Sequence, residues 1–265
     1  MNIYFPQWQG SGDGISIKEG AATILDFLGS TNFVQIPLAE TTENKDTQVA
    51  HQESLYKQLT DFRKTLKKEK PTTLHTVGGD CGLEIIPVSY LNKKHDGNLA
   101  VIWFDAHGDI HSADSSPSKH FHGMPLRTLL GEGPENFNEL LFATLHPSQI
   151  FYVGVRDLET EEIDFIEEQE IYRHQEDTFD ALIAEIKERQ LTRIYIHFDV
   201  DVLDPEAYGH AFFKVANGLT TEECEEGISK LLTHFTLAGS SLLESVGQNE
   251  KELEPIKGII DLILP

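Results

Sequence analysis

Cysteine is scarce in this chain. Cys81 and Cys224 are its two cysteines in 265 residues, too few for a disulfide scaffold, and with 39% apolar residues the composition is that of a reduced, core-forming protein. Cations are also in deficit: 21 Lys and Arg stand against 44 Asp and Glu, a formal net charge of −23 at pH 7. Such a chain has no basic surface with which to neutralise phosphates or anionic headgroups, so neither nucleic acid nor a membrane is an expected partner. No stretch reaches the roughly 18 consecutive apolar residues of a transmembrane helix. Residues 1–14 carry no basic stretch followed by an apolar region, so no signal peptide is expected and the cytoplasm is the expected compartment. A G-x-G-x-x-G or Walker loop is missing, and Gly78-Gly79 alone is no phosphate cradle. Internal repeats and low-complexity segments are absent as well.

What the chain does have is alternation. Short apolar runs at 73–77, 99–105, 149–155, 193–199 and 240–244 alternate with charged, amphipathic stretches at 46–69, 161–170, 179–190 and 220–233. That pattern predicts strands joined through crossover helices into a parallel sheet. Thr220, followed by acidic residues, is a plausible helix cap. Segments 112–119 and 131–138 read as loops, each too short for an interdomain linker, so one domain over 1–265 is expected. Trp103, Phe104, Tyr195 and Phe198 belong to strand runs and read as core.

Polar chemistry gathers where two of these strands end. Leu99-Ala-Val-Ile-Trp-Phe runs into Asp105-Ala-His107-Gly-Asp109, and Ile194-Tyr-Ile-His-Phe runs into Asp199-Val-Asp201 and on to Asp204-Pro205. Alternate residues of an extended backbone share a face, so each ending points two acids one way, the first with an imidazole. Ligands of open parallel sheets collect at the carboxyl ends of strands, which is where both motifs fall. Four aspartates brought together repel one another, and divalent cations relieve that repulsion. One imidazole among several oxygens suits hard or borderline ions, and two ions roughly 3.5–4 Å apart can jointly activate a water for hydrolysis.

These residues resemble the ureohydrolases, the family of arginase, agmatinase and formimidoylglutamase. Gly78-Gly79-Asp80, Asp105-Ala-His107-Gly-Asp109, His122-Gly123-Met124-Pro125 and Asp199-Val-Asp201-Val-Leu-Asp204-Pro205 occur in the family's order, and the match extends to about Glu244. The resemblance implies a three-layer α/β/α sandwich around a mainly parallel sheet, two Mn²⁺ ions, and a homo-oligomer. It gives Asp105 and Asp199 the place of shared ligands, Asp109 that of a ligand to one ion, and His107 and Asp201 those of ligands to the other. His122 takes the place of the proton-handling histidine, Asp109 helps orient the attacking water, and Glu244 has the place of the acid that holds a guanidinium. Ser116 and Ser118, with His111, fall where arginases hold an amino acid's carboxylate, and Glu159 where an acid meets the α-amino group.

Two departures stand out. Cys81 replaces the usual first metal-ligand histidine; a thiolate favours softer ions, so Zn²⁺, Fe²⁺ or Ni²⁺ become possible beside Mn²⁺. Ser245-Val246-Gly247 replaces the usual continuation after the guanidinium acid. The expected activity is hydrolysis of a guanidino or amidine C–N bond in a small molecule, arginase-like on L-arginine to give ornithine and urea. Agmatinase-like and formimidoylglutamase-like hydrolysis are the alternatives, as is a metal-poor pseudoenzyme that uses the fold as a binding module.

Overall fold

The apolar runs of the sequence become the strands of a single sheet in the computed structural model, which describes residues 1–12, 14–29, 32–41, 47–175 and 178–264. The strands are β1 (Asn2–Phe5), β2 (Phe33–Gln35), β3 (Leu74–Gly78), β4 (Ala100–Phe104), β5 (Ile150–Val153), β6 (Tyr172–Arg173), β7 (Arg193–Asp199) and β8 (Thr236–Leu243). Every pairing is parallel, in the order β2-β1-β3-β8-β7-β4-β5-β6. A parallel sheet covered on both faces needs continuously apolar strands, and Ala100-Val-Ile-Trp-Phe104 of β4 is buried at all five positions.

Strand alternation sorts these side chains into two cores. Val101, Trp103 and Tyr195 face α2 (Gln52–Glu69), α3 (Ile85–Lys94), α4 (Pro125–Leu129) and α6 (Thr160–Glu168), which present Leu59, Ile86, Leu126 and Phe165. Ile102, Phe104 and Ile196 face α1 (Ile15–Phe27), α7 (Asp180–Glu188), α8 (Thr221–His234) and α10 (Lys257–Ile263), through Ile24, Ile183, Ile228 and Ile260. The short helices α5 (Glu135–Asn138) and α9 (Glu250–Leu253) complete the three-layer α/β/α sandwich. No helix among the described residues is long and apolar enough to cross a membrane.

The expected strands are all present: 193–199 is matched at both ends by β7, and the other four have shifted ends. β4 stops at Phe104, so Asp105 lies just beyond the ladder, and β8 begins at Thr236 rather than 240. The helix expected over 46–69 begins at Gln52, after His51 in a left-handed conformation (φ 53°); its expected first residue, Asp46, lies outside the described residues. Thr220 caps α8 as expected: its hydroxyl accepts from the Glu223 amide at 3.1 Å while the Glu223 carboxylate accepts from the Thr220 amide at 2.8 Å.

The chain leaves β3 for β4 without pairing the two, and β8 and β7 fill the gap between them. The four central strands thus direct their carboxyl ends, from Cys81, Asp105, Asp199 and Glu244 onward, to one edge. Gly79 permits this convergence, because a Cβ there would stand 1.6 Å from the Gln7 carbonyl oxygen. Gly79→Ala is therefore expected to destabilise the fold by about 3 kcal/mol, a cost of overpacking against backbone. Urea denaturation checks this, and an unchanged midpoint would remove the steric argument.

Candidate metal centre

Each arm of the centre is set by short-range geometry at a strand end. After β3, the buried Asp80 carboxylate accepts from Gln7 Nε2 (3.0 Å), the Gly10 amide (2.9 Å) and the Gly82 amide (3.0 Å), and this starts the single helical turn Cys81–Glu84. Cys81 is thereby turned inward, 2% exposed, with Sγ 3.2 Å from Asp199 Oδ2. After β4 the chain bends at Ala106, forms a bridge between His107 and Asp157, and reaches Asp109, whose φ of 51° lies in the left-handed region. After β7, Asp199 Oδ1 accepts from the Asp201 amide (2.8 Å) and Asp201 Oδ1 from the Ala106 amide (2.9 Å), joining the two arms.

Glu244 follows β8 with a φ of 58°. Its amide donates to the Gly79 carbonyl (2.9 Å) and its carbonyl accepts from the Phe212 amide (3.0 Å), so the backbone is held on both sides. The unusual continuation after it is anchored too: Ser245 Oγ lies 2.8 Å from the Tyr208 hydroxyl and accepts from the Gly247 amide. Glu244 Oε1 is 3.0 Å from His122 Nδ1.

These arms bring ligand-capable atoms together in three overlapping groups: Cys81, Asp105, Asp109 and His197; Cys81, Asp199 and Glu244; and Asp105, His107 and Asp201. Within each group the candidate atoms lie no more than 4.8 Å apart. Asp105 belongs to two of them because its oxygens face opposite ways, Oδ1 toward His107 Nδ1 and Oδ2 toward His197 Nε2, each at 3.4 Å. His107 Nδ1 also lies 2.9 Å from Asp201 Oδ2, yet off the line a hydrogen bond needs, and that oxygen has no hydrogen-bond partner among the described residues. Asp109 Oδ2 is likewise buried and unpartnered.

Five buried carboxylates so close together cannot all stay ionised on their own. Burial first, then the neighbouring acids, raises Asp109 and Asp199 well above the usual carboxylate range and Asp201 to about 6. Asp105 moves the other way: burial opposes its ionisation, but hydrogen bonds from His107 and His197 outweigh that. The Cys81 thiol is pushed up by burial and by Glu244, Asp109 and the other acids. The orphaned oxygens and the excess of acid over imidazole fit a pair of divalent cations, which would discharge the cluster and take protons off it.

The cluster forms the floor of a cavity of about 310 Å³. Its wall includes Ser116, Ser118, His111, Glu159, His122 and the side chain of Phe213. Ser116 Oγ accepts from the Lys119 amide (3.1 Å) and Ser118 Oγ from the His120 amide (3.2 Å), which leaves both hydroxyl protons available to donate. His111 Nε2 stands 3.5 Å from Glu162 and 3.6 Å from Glu159. Arg156, by contrast, turns away from the cavity, donating to the carbonyls of Gly154, Asp201, Val202, Val215 and Ala216 and so locking the loops after β5 and β7.

All twelve residues singled out by sequence thus lie in the cluster or on the cavity wall. Sequence reasoning missed His197, Glu84 and Phe213. His197 had a usable signal, since the alternation of Asp201 and Asp199 extends one step further back to it along β7. Phe213 had none: it is 41% exposed in a loop after β7, stacked on His122 with ring centroids 5.5 Å apart.

Comparison with known proteins agrees with this geometry. The model of the Arginase family matches residues 21–245. An arginase of Staphylococcus aureus is 33% identical over 204 residues, 71% of this chain and 67% of that one. In fold, the chain is similar to Entamoeba histolytica arginase, solved with L-ornithine (TM-score 0.86, 24% identity, 98% and 97% of the two chains), and to Bacillus subtilis formimidoylglutamase (TM-score 0.72, 19% identity, 97% and 86%).

The raised carboxylates carry a pH prediction. A group whose folded-state pKa is raised from 3.8 to about 6, as for Asp201, stabilises the ion-free fold below pH 4 and loses that contribution as pH rises to 6. Added divalent ion should therefore stabilise more at pH 7.5 than at pH 5. At an ion concentration about 100-fold above Kd the gain is about 2.7 kcal/mol, or roughly 5–10 °C in Tm. Thermal denaturation with ion and with EDTA at both pH values checks this; equal gains would contradict a proton-competed site.

Proposed function

The chain belongs to the arginase family, and from that premise we propose that it hydrolyses a guanidino C–N bond as an arginase, releasing urea and ornithine from L-arginine. The observation that carries this reading is a single cavity with the acidic cluster at its floor and Ser116, Ser118 and Glu159 on its wall. One end suits a cationic, planar electrophile, and the other offers hydroxyl donors for a carboxylate and an acid for an amine.

Asp105 and Asp199 would hold both ions, Asp109 and Cys81 one of them, and His107 and Asp201 the other. Two ions so held supply the positive charge that keeps the carboxylates ionised and acidify the water that attacks the guanidino carbon. A thiolate in the donor set moves the preference from Mn²⁺ toward Zn²⁺, Fe²⁺ or Ni²⁺.

The side chains do the rest. Glu244 presents a buried carboxylate to the guanidinium, a planar cation that such a group can grip with two hydrogen bonds. Asp109 Oδ2, without a hydrogen-bond partner among the described residues, accepts a hydrogen bond from the attacking water and so orients it. Burial opposes a charge on His122, but Glu244 outweighs it and raises the imidazole's pKa, which favours an added proton on the ring. His122 hands that proton to the departing amine as the C–N bond breaks. At the outer end Ser116 and Ser118 donate to the α-carboxylate, with His111 beside them, and Glu159 meets the α-amino group.

The test is urea release from L-arginine, agmatine and guanidinobutyrate, with formamide release from formimidoylglutamate followed separately and metal content measured on the same protein. L-arginine is expected to be the preferred substrate, and the Ser116→Ala/Ser118→Ala double variant to erase its advantage over agmatine. Glu244→Gln should lower kcat/KM about 10–100-fold, the loss of a charged hydrogen bond, with ion content unchanged. Preference for agmatine or formamide release would move the reading to the corresponding hydrolase. No turnover with fewer than two ions per chain would return a metal-poor binding module.

A further inference from the structure

His197 is wholly buried, and its two ring nitrogens face acids and a sulfur rather than the carbonyls or hydroxyls of an ordinary core histidine. Nδ1 lies 3.3 Å from Glu84 Oε1, while Nε2 lies 3.4 Å from Asp105 Oδ2 and 3.8 Å from Cys81 Sγ. Without an ion, an imidazolium can donate to Glu84 and Asp105 at once; a neutral ring has a single N–H, and when Glu84 takes it Nε2 is left as an acceptor. The Nε2 lone pair then faces a carboxylate and a sulfur, a set of donor atoms that one divalent cation can share. The spacings agree. They exceed the roughly 2.7–2.9 Å of a charge-assisted N–H···O contact. They match the separations of about 3.3–3.8 Å expected between neighbouring ligands that share one ion at about 2.0–2.3 Å in a tetrahedral arrangement.

The ring is also held as a ligand ring is held. Trp103 stacks on it, with centroids 3.4 Å apart and planes 5° from parallel, and the same indole donates Nε1–H to Asp105 Oδ2 at 3.1 Å. One side chain therefore fixes the plane of the imidazole and the direction of the neighbouring carboxylate together. Glu84 fixes the tautomer, as carboxylates do behind metal-bound histidines.

We infer that His197 is the imidazole ligand of the ion held on the Cys81 side of Asp105, with Glu84 and Trp103 as its positioning residues. The inference rests on the metal-centre reading above and adds a ligand to it. The two imidazoles then lie on opposite sides of the Asp105 carboxylate, His107 for one ion and His197 for the other. Cys81 shares its ion with His197, so the thiolate is not left to stand alone with carboxylates.

Two measurements test this without reliance on turnover. Metal content after equilibration with Mn²⁺ or Co²⁺ is expected to be two ions per chain in the native protein and one in His197→Asn. Glu84→Gln is expected to weaken one ion about 10–100-fold and leave the other unchanged, the usual cost of removing the partner behind a ligand. In the Co²⁺-loaded native protein, proton NMR should show a hyperfine-shifted, slowly exchanging imidazole N–H from His197 Nδ1, identified by ¹⁵N-histidine labelling. That second experiment needs no variant to fold. Two ions bound with undiminished affinity in His197→Asn would overturn the inference alone, as would a Co²⁺-loaded native protein with no such protected N–H. A native chain that binds no ion would overturn the inference and the metal-centre reading together.

Discussion

Repulsion among buried carboxylates is the constraint to which the rest of this structure answers. Asp105, Asp109, Asp199, Asp201 and Glu244 are each at most 5% exposed and face one another across one edge of the sheet. In water their charges would be screened, but in a low-dielectric interior the same charges oppose folding by several kcal/mol per unpaired ion. The protein spends backbone amides on the problem: those of Ala106, His107 and Asp201 each donate to a carboxylate of the cluster. Those bonds fix directions without supplying a full counter-charge, and the deficit that remains is what suits the edge to divalent ions.

Rigidity around the cluster follows from the same need. Asp109 and Glu244 both adopt left-handed backbone conformations that non-glycine residues ordinarily avoid, each at a cost of order 1–3 kcal/mol. Such conformations persist where surrounding contacts over-determine them. Glu244 is held by backbone bonds to Gly79 and Phe212, and Asp109 by the amide that Leu126 donates to its carbonyl. On the arms after β4 and β8, the strain places a carboxylate where an extended chain would have pointed it away.

Most of the layout was legible in the sequence because its physics is local. A continuously apolar run that ends in D-x-H-x-D or D-x-D reads as a buried parallel strand delivering polar groups to its end, and β4 and β7 behave in this way. β1, β2 and β6 went unread because so few residues carry too little periodicity, and the equally short β5 was read from the longer run 149–155 that contains it. α3 escaped for the opposite reason: eight of its ten residues are buried, so it has no polar face to reveal a helical repeat. His197 lay inside an apolar strand run, and its significance depends on Glu84 and Cys81, more than 110 positions away and joined to it only by tertiary packing.

The strand order has a bearing on how the protein comes to exist. β3 and β4 are separated in space by two strands made later, so their facing edges can be joined only once β7 and β8 have been made. Those edges close when β7 and β8 insert between them, and the last carboxylate of the cluster, Glu244, arrives at that closing step. Parallel strands paired over such long sequence separations form slowly, because loop closure must precede any gain from contact. The acids of the cluster therefore cannot all meet before residue 244 has been made, and the full set of donors at this edge comes together only as the sheet closes.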